Sequence, residues 1–192
     1  MGMMMKKIIS CRECGIRKNQ QPIVDKVPFN DNLIMCVDFA AHKLPEKEMT
    51  DSGSGKCFPI KELLRPAMEE MEKNGYDFYY TYLLKCVPLL NGMIRKPFSY
   101  ELRNCFRHLC EEIDELQPKA VLLLGHNTYL PVLSLLGLRF KKWNGVYFDI
   151  YWHKEIGYIP VSHPAMLEKS RPHQYEIYIE GINNVLQRCI KH

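Results

Sequence analysis

Eight cysteines occur in this chain of 192 residues, and two of them are only three positions apart. Cys11 and Cys14 form a C-x-x-C pair, a spacing at which two thiolates hold one metal ion or one cluster from a single turn. A redox pair or two unrelated thiols would have the same spacing. A closed site needs two further ligands, and Cys86 and Cys105 are candidates because the loop between them can fold back. Zinc and an iron–sulfur cluster both accept four thiolates, so spacing alone leaves both open.

The remaining cysteines fit packing better than ligation. Cys36 lies in an apolar run that predicts a buried strand, and Cys110 shares a predicted helix with Cys105. Cys57 and Cys189 belong to no motif. We therefore expect these four thiols to be separate from the metal site.

Composition predicts an ordinary globular protein. The chain is 46% hydrophobic and 25% charged, and its net charge of +4 permits a phosphate-bearing partner without demanding one. No apolar run approaches the roughly 18 residues of a membrane span. The N-terminal segment MGMMMKKIIS lacks the apolar core of a secretory signal, and we interpret it as a frayed start. We expect a cytoplasmic monomer with no membrane contact and one domain over 1–192, in which metal binding explains the cysteines better than disulfides.

Apolar strands alternate with amphipathic helices along the chain. Strands are predicted over 33–37, 77–84, 121–124 and 158–161. Helices are predicted over 59–74, 99–116, 127–136 and 172–188, with a hairpin turn at 143–146. This order predicts an α/β fold, a three-layer α/β/α sandwich around a central, mainly parallel four-stranded sheet.

Such a sheet binds its ligands at the carboxyl ends of its strands. Those ends are 38–41, 85–86, 125–127 and 162–164, so four separate segments converge on one edge. Candidate catalytic groups should therefore lie there.

The order of these motifs resembles that of the iron–sulfur uracil-DNA glycosylases, families 4 and 5, from residue 11 to about 172. The resemblance rests on Lys85-Cys86-Val87-Pro88, then Glu101, Cys105, Leu109 and Ile113 at every fourth position, then Pro118-Lys119, Val121 and Leu124-Gly125, and finally Ser162-His163-Pro164-Ala165. It implies that Cys11, Cys14, Cys86 and Cys105 hold a 4Fe–4S cluster, not zinc. The implied role is structural: the cluster fastens the N-terminus and the loop after the second strand to the body of the fold.

The resemblance also implies a DNA partner, single- or double-stranded, and hydrolysis of the N-glycosidic bond of a flipped-out nucleotide. Asp38, with Phe39 and Ala40 beside it, stands at the family's Gly-Glu-Ala-Pro-Gly motif and would position or activate water. His163 matches the family's His-Pro motif and would donate to a carbonyl oxygen of the leaving base. A loop cap for Asp38 and a surface histidine before a proline are the plainer alternatives. No lysine is placed for Schiff-base chemistry, so we expect a monofunctional enzyme.

Two departures from the family concern the base pocket. Tyr82 stands where the family has the asparagine that reads uracil, and a tyrosine cannot make the paired donor and acceptor contacts of an amide. In the family, another segment supplies an aromatic ring against which uracil lies. That segment is matched only loosely by 49–55, where Asp51 and Ser54 are polar and no aromatic residue occurs. Both changes favour a bulkier or more polar base. They predict a glycosylase for a modified base, such as a phage-type pyrimidine, in defence against invading DNA.

DNA contacts are predicted beside the same edge. Met166 and Leu167 follow the His-Pro motif, where an apolar wedge could fill the gap left by a flipped base. Lys169 and Arg171 would then meet phosphates, although a solvated charged loop explains them equally well. Asn127 faces the edge and could contact base or phosphate, but a helix cap is the simpler interpretation.

Three alternatives to the modified-base enzyme stay open. One is a uracil-DNA glycosylase of base-excision repair. The second is a glycosylase-like domain that binds DNA without catalysis, and the third is an enzyme acting on modified nucleotides or on RNA.

Overall fold

Strands and helices alternate in the computed structural model, which describes residues 3–16, 20–28, 30–40, 59–91, 93–139 and 148–191. In chain order the elements are α1 (Met3–Ser10), β1 (Leu33–Ala40), α2 (Ile60–Lys73), β2 (Asp77–Leu84), β3 (Leu89–Leu90), β4 (Met93–Ile94), α3 (Ser99–Leu116), β5 (Ala120–Leu124), α4 (His126–Leu135), β6 (Tyr151–His153), β7 (Ile156–Val161), α5 (Pro164–Ser170) and α6 (Tyr175–Ile190). A short 3₁₀ turn, Pro172–Gln174, precedes α6. Among the described residues, no helix has the length and apolar character needed to cross a membrane.

The main sheet has the strand order β2-β1-β5-β7-β6. Its first four strands are parallel, as predicted, and β6 adds a fifth, antiparallel strand at one edge. The turn between β6 and β7 contains Lys154 and Glu155, both with positive φ. Glycine and asparagine normally mark such turns, so their absence hid this hairpin from sequence analysis. The hairpin turn predicted at 143–146 lies outside the described residues.

Two helical layers cover the sheet, which gives the predicted α/β/α arrangement. Ile34 and Cys36 of β1 point toward the layer that contains α2 and α6. Met35 and Val37 point toward the layer that contains α3 and α4. Because successive side chains of a strand alternate between faces, one apolar strand supplies both cores.

The N-terminus is a helix and not the frayed start that we expected. Met4, Met5 and Ile8 of α1 are buried and pack near Val24 and Leu116. Their spacing places them on one helical face, but eight residues are too few for the periodicity to be recognised in sequence.

The ends of the other helices also differ slightly from prediction. α3 begins at Ser99 as expected, but its start is secured by Glu101, whose carboxylate accepts the Phe98 N–H at 2.7 Å. The segment after His163 forms α5, a helix that the sequence did not predict. The final helix starts at Tyr175, three residues later than predicted, because 172–174 form the 3₁₀ turn.

Candidate functional site

The four cysteines of the predicted metal site line one small, partly open cavity. Cys86 and Cys105 are buried, whereas Cys11 and Cys14 are half-buried. The backbone N–H of Cys11 donates to the carbonyl of Ile8 at 3.1 Å, so α1 leads directly into the C-x-x-C pair. Three distant segments of the chain therefore present thiols to the same space.

The spacing of the thiols and their electrostatics bear on which kind of metal centre would fit this cavity. Among the described residues, no three His, Cys, Asp or Glu side chains converge closely enough to hold one metal ion. Thiols spread around a cavity suit a cluster, in which each thiolate binds a different iron. Burial raises the pKa of Cys105 to about 11, although the backbone N–H and the charge of Lys85 oppose the shift. A thiolate there needs a compensating cation, which a metal centre would supply.

A buried ion pair lies behind the cysteine pocket. The Nζ of Lys85 donates to Oε2 of Glu112 at 2.5 Å, to Oγ1 of Thr81 at 2.5 Å and to the carbonyl of Tyr82 at 2.7 Å. Glu112 also accepts from the hydroxyls of Tyr79, at 2.7 Å, and Thr81, at 3.0 Å. Burial raises the pKa of Tyr79, as does the Glu112 carboxylate, so its hydroxyl stays protonated and donates. Each charge is thus compensated by its partner and by neutral groups.

This pair joins the two elements that carry the buried cysteines. Lys85 directly precedes Cys86, and Glu112 lies seven residues after Cys105, two turns along the same face of α3. The backbone carbonyl of Lys85 also accepts the N–H of Ile23 at 2.7 Å. Sequence analysis missed the pair, although a charged residue at a helical core position was a visible signal.

Asp38 and His163 meet at the carboxyl ends of the parallel strands. Asp38 is on β1 and His163 follows β7, with the end of β5 between them. Oδ1 of Asp38 lies 3.5 Å from Nε2 of His163 and accepts the backbone N–H of Phe39 at 2.6 Å. Asp38 is buried and His163 is half-buried, so the pair borders the solvent. A carboxylate and an imidazole so placed can accept and donate protons on one substrate.

Gly125 makes room for this arrangement. Its φ is +81°, a conformation that side chains rarely adopt, and its N–H donates to the carbonyl of Val161 at 2.8 Å. A Cβ on Gly125 would lie 3.1 Å from Cβ of His163. The glycine at the end of β5 therefore allows His163 to approach the sheet edge.

The residues predicted to bind the base divide between different surroundings. Tyr82 is paired in register with Asp38, and its side chain is buried among the apolar residues on the α2 and α6 side. Phe39 and Ala40 pack beside the cysteine pocket, where Ala40 is buried with Cys86 and Cys105. Ser54 lies outside the described residues. As substrate contacts, all four stay predictions.

Asn127 is exposed in the first turn of α4, at the same strand-end edge. It does not cap the helix: the residue in the cap position is Gly125, and α4 begins at His126. The simpler interpretation of Asn127 as a cap is therefore wrong. The hydroxyl of Thr128 instead donates to the carbonyl of Leu124 at 2.7 Å.

The predicted DNA contacts lie on α5 and just after it. Met166 is exposed, whereas Leu167 is buried in the core on the α2 side. A helix turns neighbouring residues to different faces, so only Met166 of the two is placed to act as a wedge. Lys169 and Arg171 are both exposed.

Comparisons with known proteins concern the chain as a whole. The sequence model of the uracil DNA glycosylase superfamily matches residues 21–187. A type-4 uracil-DNA glycosylase from Sulfurisphaera tokodaii is 27% identical over 168 residues, which cover 83% of this chain and 72% of that protein. A type-4 enzyme from Pyrobaculum aerophilum is 24% identical over 135 residues, 70% of this chain and 65% of its own length. A type-5 uracil-DNA glycosylase from the same organism is 37% identical over 59 residues, 31% of this chain and 24% of its own length.

Proposed function

Because the chain belongs to the uracil DNA glycosylase superfamily, we propose that it is a monofunctional DNA glycosylase that excises a flipped-out modified base and leaves an abasic site. The observation that carries this proposal is the pair of Asp38 and His163, 3.5 Å apart across the end of β5. An acid and a histidine at this separation stand side by side, so both can reach one nucleotide bound at this edge.

Asp38 and His163 act on different parts of the substrate in the proposed reaction. A water molecule adds its oxygen to C1′ of the sugar while the bond from C1′ to the base nitrogen breaks. The bonding electrons leave with the base, and the water's proton passes to the carboxylate of Asp38. The negative charge of Asp38 also stabilises the positive charge that builds on the sugar. His163 donates a hydrogen bond to a carbonyl oxygen of the departing base, where negative charge grows.

Tyr82 supports a base other than uracil. It is in register with Asp38, and its side chain is buried among the apolar residues on the α2 and α6 side, so what supports the proposal is the residue type at this position. The donor and acceptor pair that an amide would present to uracil is missing there. We propose a modified pyrimidine as the substrate, and defence against DNA that carries such bases as the role.

We also propose that Cys11, Cys14, Cys86 and Cys105 hold a 4Fe–4S cluster. They fit it because four thiols from three segments surround one cavity, and because a thiolate at Cys105 needs a compensating cation. Bound there, the cluster would supply iron–sulfur bonds that join the end of α1, the end of β2 and the middle of α3. The proposed role is structural, so no step of the reaction depends on its electrons.

A panel of duplex and single-stranded oligonucleotides tests the function. Each carries one uracil, 5-hydroxymethyluracil, 5-hydroxymethylcytosine or glucosylated 5-hydroxymethylcytosine, and alkali cleavage reports abasic sites. We expect excision of a modified base, with a loss of about 100-fold or more in Asp38→Asn and in His163→Ala. Asp77→Asn and His153→Ala are matched controls, because both residues lie at the opposite ends of their strands from the proposed site.

Each other result has a defined meaning. Efficient excision of uracil alone would overturn the modified-base assignment and leave a repair-type uracil enzyme. Tight DNA binding without any product would support a binding module. Full activity in both Asp38→Asn and His163→Ala would remove the site assignment itself.

A further inference from the structure

An exposed apolar surface surrounds the β3–β4 hairpin and the start of α3. Its five large side chains are between 46% and 71% exposed. They are Leu90, Met93 and Ile94 of the hairpin, followed by Phe98 and Tyr100. We call Phe98 and Tyr100 the aromatic platform. Apolar residues this exposed and this close together indicate a binding surface.

The two aromatic rings of the platform are held in place by a buried acid. Phe98 and Tyr100 stack with their centroids 5.9 Å apart and their planes 13° from parallel. The guanidinium of Arg95 lies 4.4 Å from the centroid of Phe98. That guanidinium donates two hydrogen bonds to the buried Glu101, at 2.5 and 2.8 Å. The rings are therefore ordered before any partner arrives, which lowers the entropic cost of binding.

Cations accompany the rings. Lys96 and Arg103 are exposed, and Arg103 lies three residues after Tyr100, on the same face of α3. The negative charge of Glu101 is buried and already paired with Arg95. Two aromatic rings with a cation on either side match a nucleic-acid strand, whose bases stack and whose phosphates attract cations. A purely apolar protein partner would not need the cations.

The platform's position relates it to the proposed site. The β3–β4 hairpin follows Cys86 at the carboxyl end of β2, and β2 pairs with β1, which carries Asp38. The backbone N–H of Arg95 donates to the carbonyl of Pro88 at 2.8 Å, which holds the segment close to that end. A strand whose nucleotide enters at Asp38 can thus extend over β2 to the platform.

We infer that the aromatic platform binds unpaired DNA flanking the excised nucleotide, with bases stacked on Phe98 and Tyr100 and phosphates on Lys96 and Arg103. This inference rests on the proposed DNA substrate and adds which part of it the protein holds single-stranded. It assigns a binding role to residues outside the Asp38 and His163 pair.

Binding of a fluorescein-labelled 16-mer of thymidylate, which carries no modified base, tests the inference by anisotropy. Tyr100→Leu keeps apolar area but removes the ring, and should weaken binding about tenfold, whereas Tyr100→Trp should bind as the parent does. Trp152→Leu is the matched control, because Trp152 is a partly exposed ring on β6, the opposite edge of the sheet. Lys96→Gln combined with Arg103→Gln should lower the salt slope by about 1.4, or 0.7 for each lost phosphate contact.

The inference is overturned if the parent protein fails to bind the oligonucleotide, if Tyr100→Leu binds as well as the parent, or if Trp152→Leu weakens binding equally. Thermal unfolding of each variant shows whether the fold is intact. The proposed function is tested separately. Binding that depends on Tyr100, without excision of any base in the panel, would contradict the glycosylase assignment and leave the binding role of the platform intact. Excision by a protein that does not bind the single-stranded oligonucleotide would contradict only the binding role of the platform.

Discussion

The cysteine pocket and the strand-end edge both lie at the carboxyl end of the sheet but are built differently. Behind the pocket, all three protons of the Lys85 ammonium and both oxygens of Glu112 have protein partners. At the edge, Asp38 accepts one short backbone hydrogen bond and faces a half-buried His163 at 3.5 Å. Saturated buried polar groups hold a structure rigid, whereas partly exposed groups remain accessible to substrate.

This difference separates two tasks. The pocket region should determine whether the fold is stable, and the edge should determine whether the reaction occurs. Substitutions in the pocket are therefore expected to reduce stability and excision together. Substitutions at the edge should reduce excision more than stability, and substitutions far from both should change stability alone.

The largest effect is expected at the cysteines. Cys105→Ser should lose the iron and the visible absorbance of the proposed cluster, and should lower the Tm by about 10 °C or more. Cys110→Ser, one and a half turns along the same helix, should retain the iron and the absorbance because Cys110 does not line the cavity. Iron content and thermal unfolding are the measurements. Equal loss of iron in both variants would remove the distinction between ligand and packing cysteines.

The buried ion pair should come next. Glu112→Leu leaves the Lys85 ammonium buried without its carboxylate and should cost about 3–5 kcal/mol of stability. The double variant Lys85→Met with Glu112→Leu removes both charges and should be less destabilised than Glu112→Leu alone. Thermal unfolding of the single and double variants measures the coupling. Additive losses would mean that the two charges do not act as a pair.

Gly125→Ala tests the edge. With φ of +81° and ψ of 163°, a region that is almost exclusive to glycine, alanine should cost about 1–3 kcal/mol. The added Cβ, 3.1 Å from Cβ of His163, should displace the ring and lower excision up to about 100-fold. Gly137→Ala is a matched control, because Gly137 has φ +71° and no atom within 4 Å of an added Cβ. Both variants should lose stability, Gly125→Ala at least as much as Gly137→Ala, and only Gly125→Ala should lose excision. Parallel losses of activity in both variants would contradict a positioning role for Gly125.

The smallest effect is expected at the β6–β7 turn, far from both regions. Lys154 and Glu155 have φ of +47° and +65°, so Lys154→Asn combined with Glu155→Gly should stabilise the protein by about 1 kcal/mol. Iron content and excision rate should not change. A change in excision would show that the edge is sensitive to strain well outside it, and would weaken the separation of tasks.

Much of the fold was predictable because its signals are local. The apolar runs at 33–37 and 121–124 are buried strands, and the helix over 99–116 has the predicted bounds. α1 was missed because eight residues give too little periodicity. The β6–β7 hairpin was missed because its turn residues, Lys154 and Glu155, lack the usual glycine or asparagine. In both places tertiary packing overrides a weak local preference.

The sequence by itself determined the residue types available for chemistry: a C-x-x-C pair, an acid after one strand and a histidine before a proline after another. It also determined that parallel strands would bring Asp38 and His163 to one edge, because strand ends in such sheets face the same way. Only the tertiary structure decided that Lys85 pairs with Glu112, and that Leu167 is buried while Met166 is exposed. It also decided that Gly125 makes room for His163. These contacts depend on strand order and on the angle at which each helix packs, and neither quantity is encoded in the spacing of residues along the chain.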